Sequence, residues 1–282
     1  MCSSSAGAKF RSGYFAELIS YVTEALPESD ANLQVCRFSL DTDYLANPEL
    51  LPPPVRNNTV NRIPCVCRPN VSFIEALRLR KVAIVYLCKE VVLGGITSVL
   101  PDYAGGASAA IEYFLAQGHR HIAVGAGPLA ADDTNILKQR SGIVATLEKH
   151  KLELSNDFIY FSPLTIEGGR TVLDQILKNR RRPTALYCAN DAMAMGAILQ
   201  AKEHNLRVPE DLSVIGFDDA RFASAFTPPL TTVHVPLDEI ACRGVEECNK
   251  IAQEGESRPE NPHQTIVLPT KLVERKSTTA PA

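Results

Sequence analysis

Residues 182–219 read RPTALYCANDAMAMGAILQAKEHNLRVPEDLSVIGFDD. Two short apolar runs in it, residues 185–188 and 212–217, have the length and composition of buried strands. The segment between them is typical of a helix. Two polar residues lie just beyond each apolar run: Asn190 and Asp191 after the first, Asp218 and Asp219 after the second. The order strand, helix, strand predicts a parallel sheet with polar residues at the carboxyl ends of its strands, where open α/β sheets bind ligands.

The same alternation extends over most of the chain. Apolar residues at helical spacing predict helices at 14–26, at 106–117 and from Pro236 to just before Gly255. Strand character is found at residues 33–38, 63–67, 82–87, 96–100, 121–125, 158–161, 185–188, 212–217 and 265–268. These segments exceed one doubly wound sheet of about five or six strands. The sequence therefore predicts an α/β protein of two lobes, each a mainly parallel sheet flanked by helices, with a ligand in the cleft between them.

Two segments depart from this alternation. Residues 48–60 contain three consecutive prolines, Pro52, Pro53 and Pro54, which supply no backbone hydrogen-bond donors, so we predict a surface loop there. Residues 277–282 are predicted to be a polar tail.

Composition excludes several classes of function. The chain has 282 residues, of which 45% are hydrophobic and 22% charged, as in soluble globular proteins. A formal net charge of −3 gives no general attraction to nucleic-acid phosphates. No apolar run reaches the length of about 18 residues that a membrane span needs, and the start of the sequence does not resemble a signal peptide. We therefore expect a cytoplasmic protein that does not contact a membrane.

The cysteines are predicted to be reduced. Five of the eight lie inside apolar runs, where a thiol behaves as a small hydrophobic group: Cys36, Cys65, Cys67, Cys88 and Cys188. The Cys65-x-Cys67 pair has no second pair or histidines at zinc-ligand spacing. We predict neither a metal site nor a cofactor.

Several motifs together resemble the effector-binding domain of LacI/GalR-type transcription regulators. They comprise residues 182–196 and 205–219 of the segment quoted above and PPLTTV at 228–233. Shorter agreements are YFAELI at 14–19, GHRHIAVGAGP at 118–128 and LVERKST at 272–278. From about Asp102 onward the resemblance covers nearly the whole chain.

This resemblance implies a periplasmic-binding-protein-like fold of type I, in which the chain crosses between the lobes three times. Here the crossings are expected near Pro128, Val233 and Pro262. The N-terminal lobe would then contain residues 1–128 and 233–262, and the C-terminal lobe residues 129–232 and 263–276.

The resemblance also implies six ligand contacts. Asp218 matches the family's acidic ligand residue, Arg140 its clamping arginine, Asn190 its cleft asparagine, Asp102 its first-lobe acidic residue, and Tyr14 and Phe15 its aromatic pair. A guanidinium and a carboxylate suit sugar hydroxyls, and an aromatic ring can stack on a sugar's apolar face. From the residues alone, Asn190 could equally cap its helix, and Asp219 could bond loop amides.

The sequence departs from the family pattern at three places. The family's first strand is represented only by SSSAGAKFR at 3–11, which has weak strand character. Leu164 occupies the position of a large aromatic residue in many relatives, and the chain has no tryptophan. Relatives begin with a helix-turn-helix, whereas this sequence starts in the sensor, so DNA contact is expected only through such a domain outside this sequence.

The expected function is the binding of a small polar effector, a sugar, by a homodimer. Two alternative functions agree less well with the sequence. An enzyme with a dinucleotide loop at Gly125-Ala-Gly-Pro lacks the third glycine and has Pro128 in the next position, so we expect no enzymatic activity. A solute-binding protein of a sugar transporter would share the fold but would need an export signal.

Overall fold

A computed structural model describes residues 2–3, 13–26, 33–66, 70–128, 133–254 and 263–281. In chain order the elements are β1 (Cys2–Ser3), α1 (Gly13–Glu24), β2 (Cys36–Arg37), a 3-10 helix (Pro48–Leu50), α2 (Pro53–Arg56), β3 (Arg62–Cys65), α3 (Val71–Arg78), β4 (Ala83–Leu87), β5 (Thr97–Pro101), α4 (Tyr103–Ala116), β6 (Ile122–Ala126), α5 (Thr134–Lys149), a second 3-10 helix (Asn156–Phe158), β7 (Ile159–Phe161), α6 (Ile166–Lys178), β8 (Ala185–Cys188), α7 (Asp191–Glu203), β9 (Ser213–Asp218), β10 (Thr231–His234), α8 (Leu237–Glu254), β11 (Gln264–Leu268) and β12 (Lys271–Val273). Within the described ranges, no helix combines the length and apolarity needed to cross a bilayer.

The chain divides into two compact units, each with one six-stranded sheet. Unit 1 contains Met1–Pro101 and Pro236–Leu268, and its strand order is β11-β5-β4-β3-β1-β2, with parallel pairing throughout. Unit 2 contains Asp102–Val235 and Pro269–Ala282, and its order is β12-β10-β9-β8-β6-β7. Its pairs are parallel except β10 with β12. The predicted α/β class, with mainly parallel sheets flanked by helices, is confirmed.

The predicted lobe boundaries are wrong at two of the three crossings. The structure divides the chain after Pro101, Val235 and Leu268, not near Pro128, Val233 and Pro262. Strand pairing is the physical reason: β6 pairs with β7 and β8, which brings residues 122–126 into unit 2. In the same way β11 pairs with β5 and belongs to unit 1.

The prediction of a polar tail at residues 277–282 also needs correction. Ser277 is fully buried, its hydroxyl donates to the Val214 carbonyl at 2.6 Å, and it accepts from the Thr231 amide at 2.8 Å. The Thr279 carbonyl oxygen lies 2.9 Å from Nε2 of the buried His119. The last residues are therefore an integral part of unit 2, because their hydroxyl and backbone groups satisfy polar groups of the sheet.

Segment 48–60 is not simply a loop. It forms the first 3-10 helix and α2, and both have proline in their first turn, where a missing amide hydrogen costs no helical hydrogen bond. Leu51 and Val55 are each 2% exposed and pack in the unit 1 core with Phe73 of α3. Short helices can thus bury apolar side chains even in a proline-rich segment.

A close helix crossing positions α5 in unit 2. A Cβ atom added at Gly142 would lie 2.2 Å from the Ala104 carbonyl oxygen of α4, so only glycine allows this approach. The Ser108 hydroxyl donates to the Gly142 carbonyl at 3.1 Å across the same crossing. This contact fixes the helix that carries Arg140.

Candidate functional site

The carboxyl ends of the unit 2 strands form one polar edge. Tyr187 of β8 is opposite Ile215 of the neighbouring strand β9. Three residues further along each strand, Asp218 ends β9 and Asn190 lies two residues beyond the end of β8. Asp218 in turn is opposite His234 of β10. The structure therefore places the predicted residues Asn190 and Asp218 on adjacent strand ends.

Asn190 caps helix α7. Its side-chain oxygen accepts from the Met193 amide at 2.9 Å, and its Nδ2 donates to the Leu164 carbonyl at 3.2 Å. The capping role that the sequence left open is therefore present. A primary amide has two donor hydrogens and two acceptor lone pairs, so these two bonds use half of its capacity. A ligand contact by Asn190 stays a prediction.

The turn after β9 has an unusual backbone. Asp218 has φ 112° and Asp219 has φ 54°, in the region that favours glycine. Such conformations cost of the order of 1–3 kcal/mol each and persist only where the surroundings enforce them. Asp219 is held by Arg275, whose Nη2 lies 2.7 Å from its carboxylate, and by His234 Nδ1 at 3.1 Å.

Asp191 holds the same turn from the other side. Its carboxylate accepts from the Ala220 amide at 2.7 Å and from the Thr232 hydroxyl at 2.5 Å. It is 1% exposed, and this burial raises the pKa of its carboxyl to about 7 against the opposing effect of the two hydrogen bonds. The sequence placed Asp191 at this edge without assigning it a role. No local pattern could have done so, because Thr232 is 41 residues away along the chain.

Arg140 is an exposed residue of α5 and, within the described part of the chain, has no hydrogen-bond or ion-pair partner. The neighbouring Gln139 fixes its place. Gln139 accepts from the Tyr187 hydroxyl at 2.9 Å and donates to the Ala189 carbonyl at 3.3 Å, directly before Asn190. The pKa of Tyr187 is raised by burial and, to a smaller extent, by the charge of Asp218. α5 is therefore attached to the strand end that leads to Asn190.

Asp102 caps a helix and lies in unit 2, whereas the family resemblance placed it in the first lobe; a ligand contact by Asp102 stays a prediction. It belongs to unit 2 and not to the first lobe, since it follows the last residue of β5 and begins the second unit. Its carboxylate caps α4 by accepting from the Gly105 amide at 2.8 Å. Tyr103 follows Asp102 in the chain, and its hydroxyl accepts a hydrogen bond from the Asn135 side chain of α5 at 2.7 Å.

Tyr14 and Phe15 lie in unit 1, at the start of α1. Their rings meet edge to face, with centroids 5.6 Å apart, and both side chains are partly exposed. Part of each ring is therefore accessible, and the predicted stacking on a ligand stays a prediction. Of the first strand expected at 3–11, the structure describes only Ser3, in β1; residues 4–11 lie outside the described residues.

Leu164 packs against the unit 2 core, where many relatives are expected to have an aromatic ring. The sequence analysis missed one aromatic residue at the carboxyl edge of the unit 2 sheet. Phe161 ends β7 opposite Ala126 of β6, and its side chain is 37% exposed. Its position as the last residue of the predicted strand 158–161 was the available signal.

Gly125 and Gly127, the glycines of the segment compared above with a dinucleotide loop, have a packing role. A Cβ atom added at Gly125 would lie 2.8 Å from the Met193 sulfur, and one at Gly127 would lie 3.2 Å from a side-chain carbon of Ile136. Both glycines therefore allow α7 and α5 to approach the sheet.

Comparison with known proteins identifies relatives of this chain. Residues 111–278 match a family described as periplasmic binding protein-like domain. The chain is 30% identical over 247 residues to the probable HTH-type transcriptional repressor ExuR of Bacillus subtilis, covering 88% of this chain and 72% of that protein. It is 36% identical over 180 residues to the HTH-type transcriptional repressor PurR of Escherichia fergusonii, covering 64% of this chain and 51%, about half, of that protein.

Solved structures show the same fold. A LacI family transcriptional regulator from Enterococcus faecium with bound ribose has a TM-score of 0.80 at 20% identity, covering 99% of this chain and 98% of that one. The dimeric Lac repressor with an 11-residue C-terminal deletion has a TM-score of 0.80 at 23% identity, covering 100% and 98%. The curated relatives are named as repressors, which does not favour a transport protein. The chain belongs to the LacI family of transcription regulators, of which it comprises the periplasmic-binding-protein-like effector domain.

Proposed function

We propose that this domain binds a sugar at the carboxyl edge of the unit 2 sheet and thereby controls DNA binding by a helix-turn-helix domain of the complete regulator. The observation that carries the proposal is the strained Asp218 at the end of β9, on the strand adjacent to the one that leads to the half-satisfied Asn190. Strained polar residues that the surrounding structure enforces are typical of ligand sites.

The chemistry of this edge suits hydroxyl groups. A carboxylate at Asp218 accepts from two sugar hydroxyls, the guanidinium of Arg140 donates in a rigid planar fork, and the Asn190 amide can do both. The exposed ring of Phe161 offers an apolar surface at the same edge. The E. faecium relative with bound ribose supports a sugar as the class of effector. The predicted contacts by Tyr14 and Phe15 still depend on the family resemblance.

We also propose a cytoplasmic homodimer, because transcription repressors act on DNA and the related Lac repressor structure is described as dimeric. Effector binding would shift the population between two conformations of the regulator that differ in affinity for the sugar. By linkage, the same difference in affinity would change DNA binding.

Isothermal titration calorimetry with ribose, cellobiose and a wider panel of sugars, sugar phosphates and purines tests the proposal. Asp218→Asn keeps the size of the side chain and is tolerated at positive φ. Asparagine can still pair with both hydroxyls but only as a neutral group, and because a hydrogen bond to a charged group is stronger by about 1 kcal/mol, the substitution should weaken a sugar hit by about tenfold or more. Asp157→Asn is the matched control, because Asp157 is an exposed residue that precedes β7, at the amino edge of the same sheet. Unchanged affinity in Asp218→Asn, or binding of purines alone, would contradict the proposal.

A further inference from the structure

The strained turn Asp218–Asp219 is held by two separate anchors. On one side, Arg275 bonds both the Asp219 carboxylate, at 2.7 Å, and the Leu230 carbonyl, at 2.8 Å. On the other side, Asp191 bonds the Ala220 amide, the first residue after the two positive φ angles. An unfavourable backbone conformation needs this kind of enforcement from both ends.

The Asp191 anchor is built into the core of unit 2. Its two oxygens have different partners: one accepts from Ala220 and the other from the Thr232 hydroxyl of β10. The sheet is shaped to receive it, because a Cβ atom added at Gly216 of β9 would lie 2.1 Å from the Asp191 Oδ1. Asp191 thus links the start of α7, which Asn190 caps, to the turn that carries Asp218.

We propose that Asp191 is a positioning residue for the effector site: without touching the sugar, it keeps Asp218 in its strained conformation beside Asn190. This inference rests on the proposed function, since Asp218 is there the principal acceptor. The required property is the bridge between Ala220 and Thr232, not the negative charge. An asparagine can make the same bridge, because its oxygen can accept from the Ala220 amide while the Thr232 hydroxyl turns to accept from its amide group.

Three substitutions separate the bridge from the charge. Asp191→Ala removes the bridge. Asp191→Ser places a side chain that suits the first turn of a helix but is too short to reach both Ala220 and Thr232. This variant replaces Asp191→Ala in the experiment if the alanine variant does not fold. Asp191→Asn retains the bridge. The first readout needs no sugar: hydrogen exchange of the Asp219 and Ala220 amides should accelerate by about tenfold or more in the alanine and serine variants and return to near the original rate in the asparagine variant.

The second readout is ribose affinity by calorimetry in the same variants. We expect a loss of about tenfold or more in Asp191→Ala and Asp191→Ser and recovery to within about threefold in Asp191→Asn. Unchanged exchange at Ala220 in the alanine and serine variants, or equal loss of affinity in all three, would overturn the inference. If the original chain does not bind ribose or any other sugar of the panel, the proposed function fails, while the exchange rates still decide whether Asp191 holds the turn.

Discussion

Replacing Asp191 by asparagine should stabilise unit 2 at neutral and alkaline pH and leave its stability unchanged in acid. The carboxyl is 1% exposed, and burial raises its pKa from 3.8 to about 7, although hydrogen bonds from Thr232 and Ala220 oppose the rise. Asparagine has the shape and neutrality of the protonated carboxyl. It therefore removes the cost of the buried charge and keeps both hydrogen bonds.

The raised pKa sets the sign and size of the effect. Well below pH 3.8 the carboxyl is protonated in both the folded and the unfolded chain, and the charge costs nothing. From about pH 4 to 7 the folded chain keeps a proton that the unfolded chain releases, so the free energy of unfolding falls as pH rises. Above pH 7 the full cost remains. The change from 3.8 to about 7, at about 1.4 kcal/mol per pKa unit, predicts a gain of about 4 kcal/mol in Asp191→Asn.

Urea unfolding at about pH 4, 6 and 8 measures this gain, with hydrogen exchange of the β8 amides as the probe. A probe inside unit 2 is needed because two units need not unfold in one transition. Asp157→Asn controls for the loss of one carboxylate from the exposed surface. The reasoning is refuted if Asp191→Asn shifts stability equally at all three pH values, or if it destabilises unit 2 at pH 8.

Two further substitutions test the placement of α5. Arg140→Met should change the free energy of unfolding by no more than about 0.5 kcal/mol, because Arg140 is exposed and, in the described part of the chain, unpaired. The same variant should weaken sugar binding in calorimetry. Arg182→Met, at an exposed residue before β8, is the control, and equal affinities in the two variants would remove Arg140 from the site. Gly142→Ala should destabilise unit 2 by about 1–3 kcal/mol in thermal melts, because the added Cβ would lie 2.2 Å from the Ala104 carbonyl oxygen. Gly13→Ala is the control, since a Cβ there has nothing within 4 Å. Unchanged stability in Gly142→Ala would contradict the described helix crossing.

Strands that consist of apolar runs were predictable from the sequence, and strands defined by tertiary context were not. β8 lies within its predicted bounds and β9 within about one residue of them. β10 reads TTVH and was missed, although it is an interior strand of the unit 2 sheet, paired with β9 and β12. Its Thr231 and Thr232 are fully buried because Ser277, Arg275 and Asp191 satisfy their polar groups. Such partners are distant in sequence, so the strand could not be located, although the crossing predicted near Val233 lies within two residues of the observed one.

The site was predictable in outline for a similar reason. A parallel sheet gathers the residues that follow its strands, so the placement of Asn190 and Asp218 followed from the pattern. The division of roles did not follow. Asp191 is next to Asn190 in the chain, but only the positions of Thr232 and Ala220 make it a buried anchor. The assignment of Arg140 depended on the family resemblance, since an arginine on an exposed helix face carries no signal of its own.

Amide chemical-shift mapping by NMR, with whichever sugar of the panel stabilises the chain, tests the central claim most directly. The account predicts that the shifted resonances include those of Asn190, Asp218 and the residues after β6 and β7, at the carboxyl edge of the unit 2 sheet. Shifts confined to the opposite edge, around Arg182 and Leu212, or no shifts in unit 2 at saturating sugar, would contradict it.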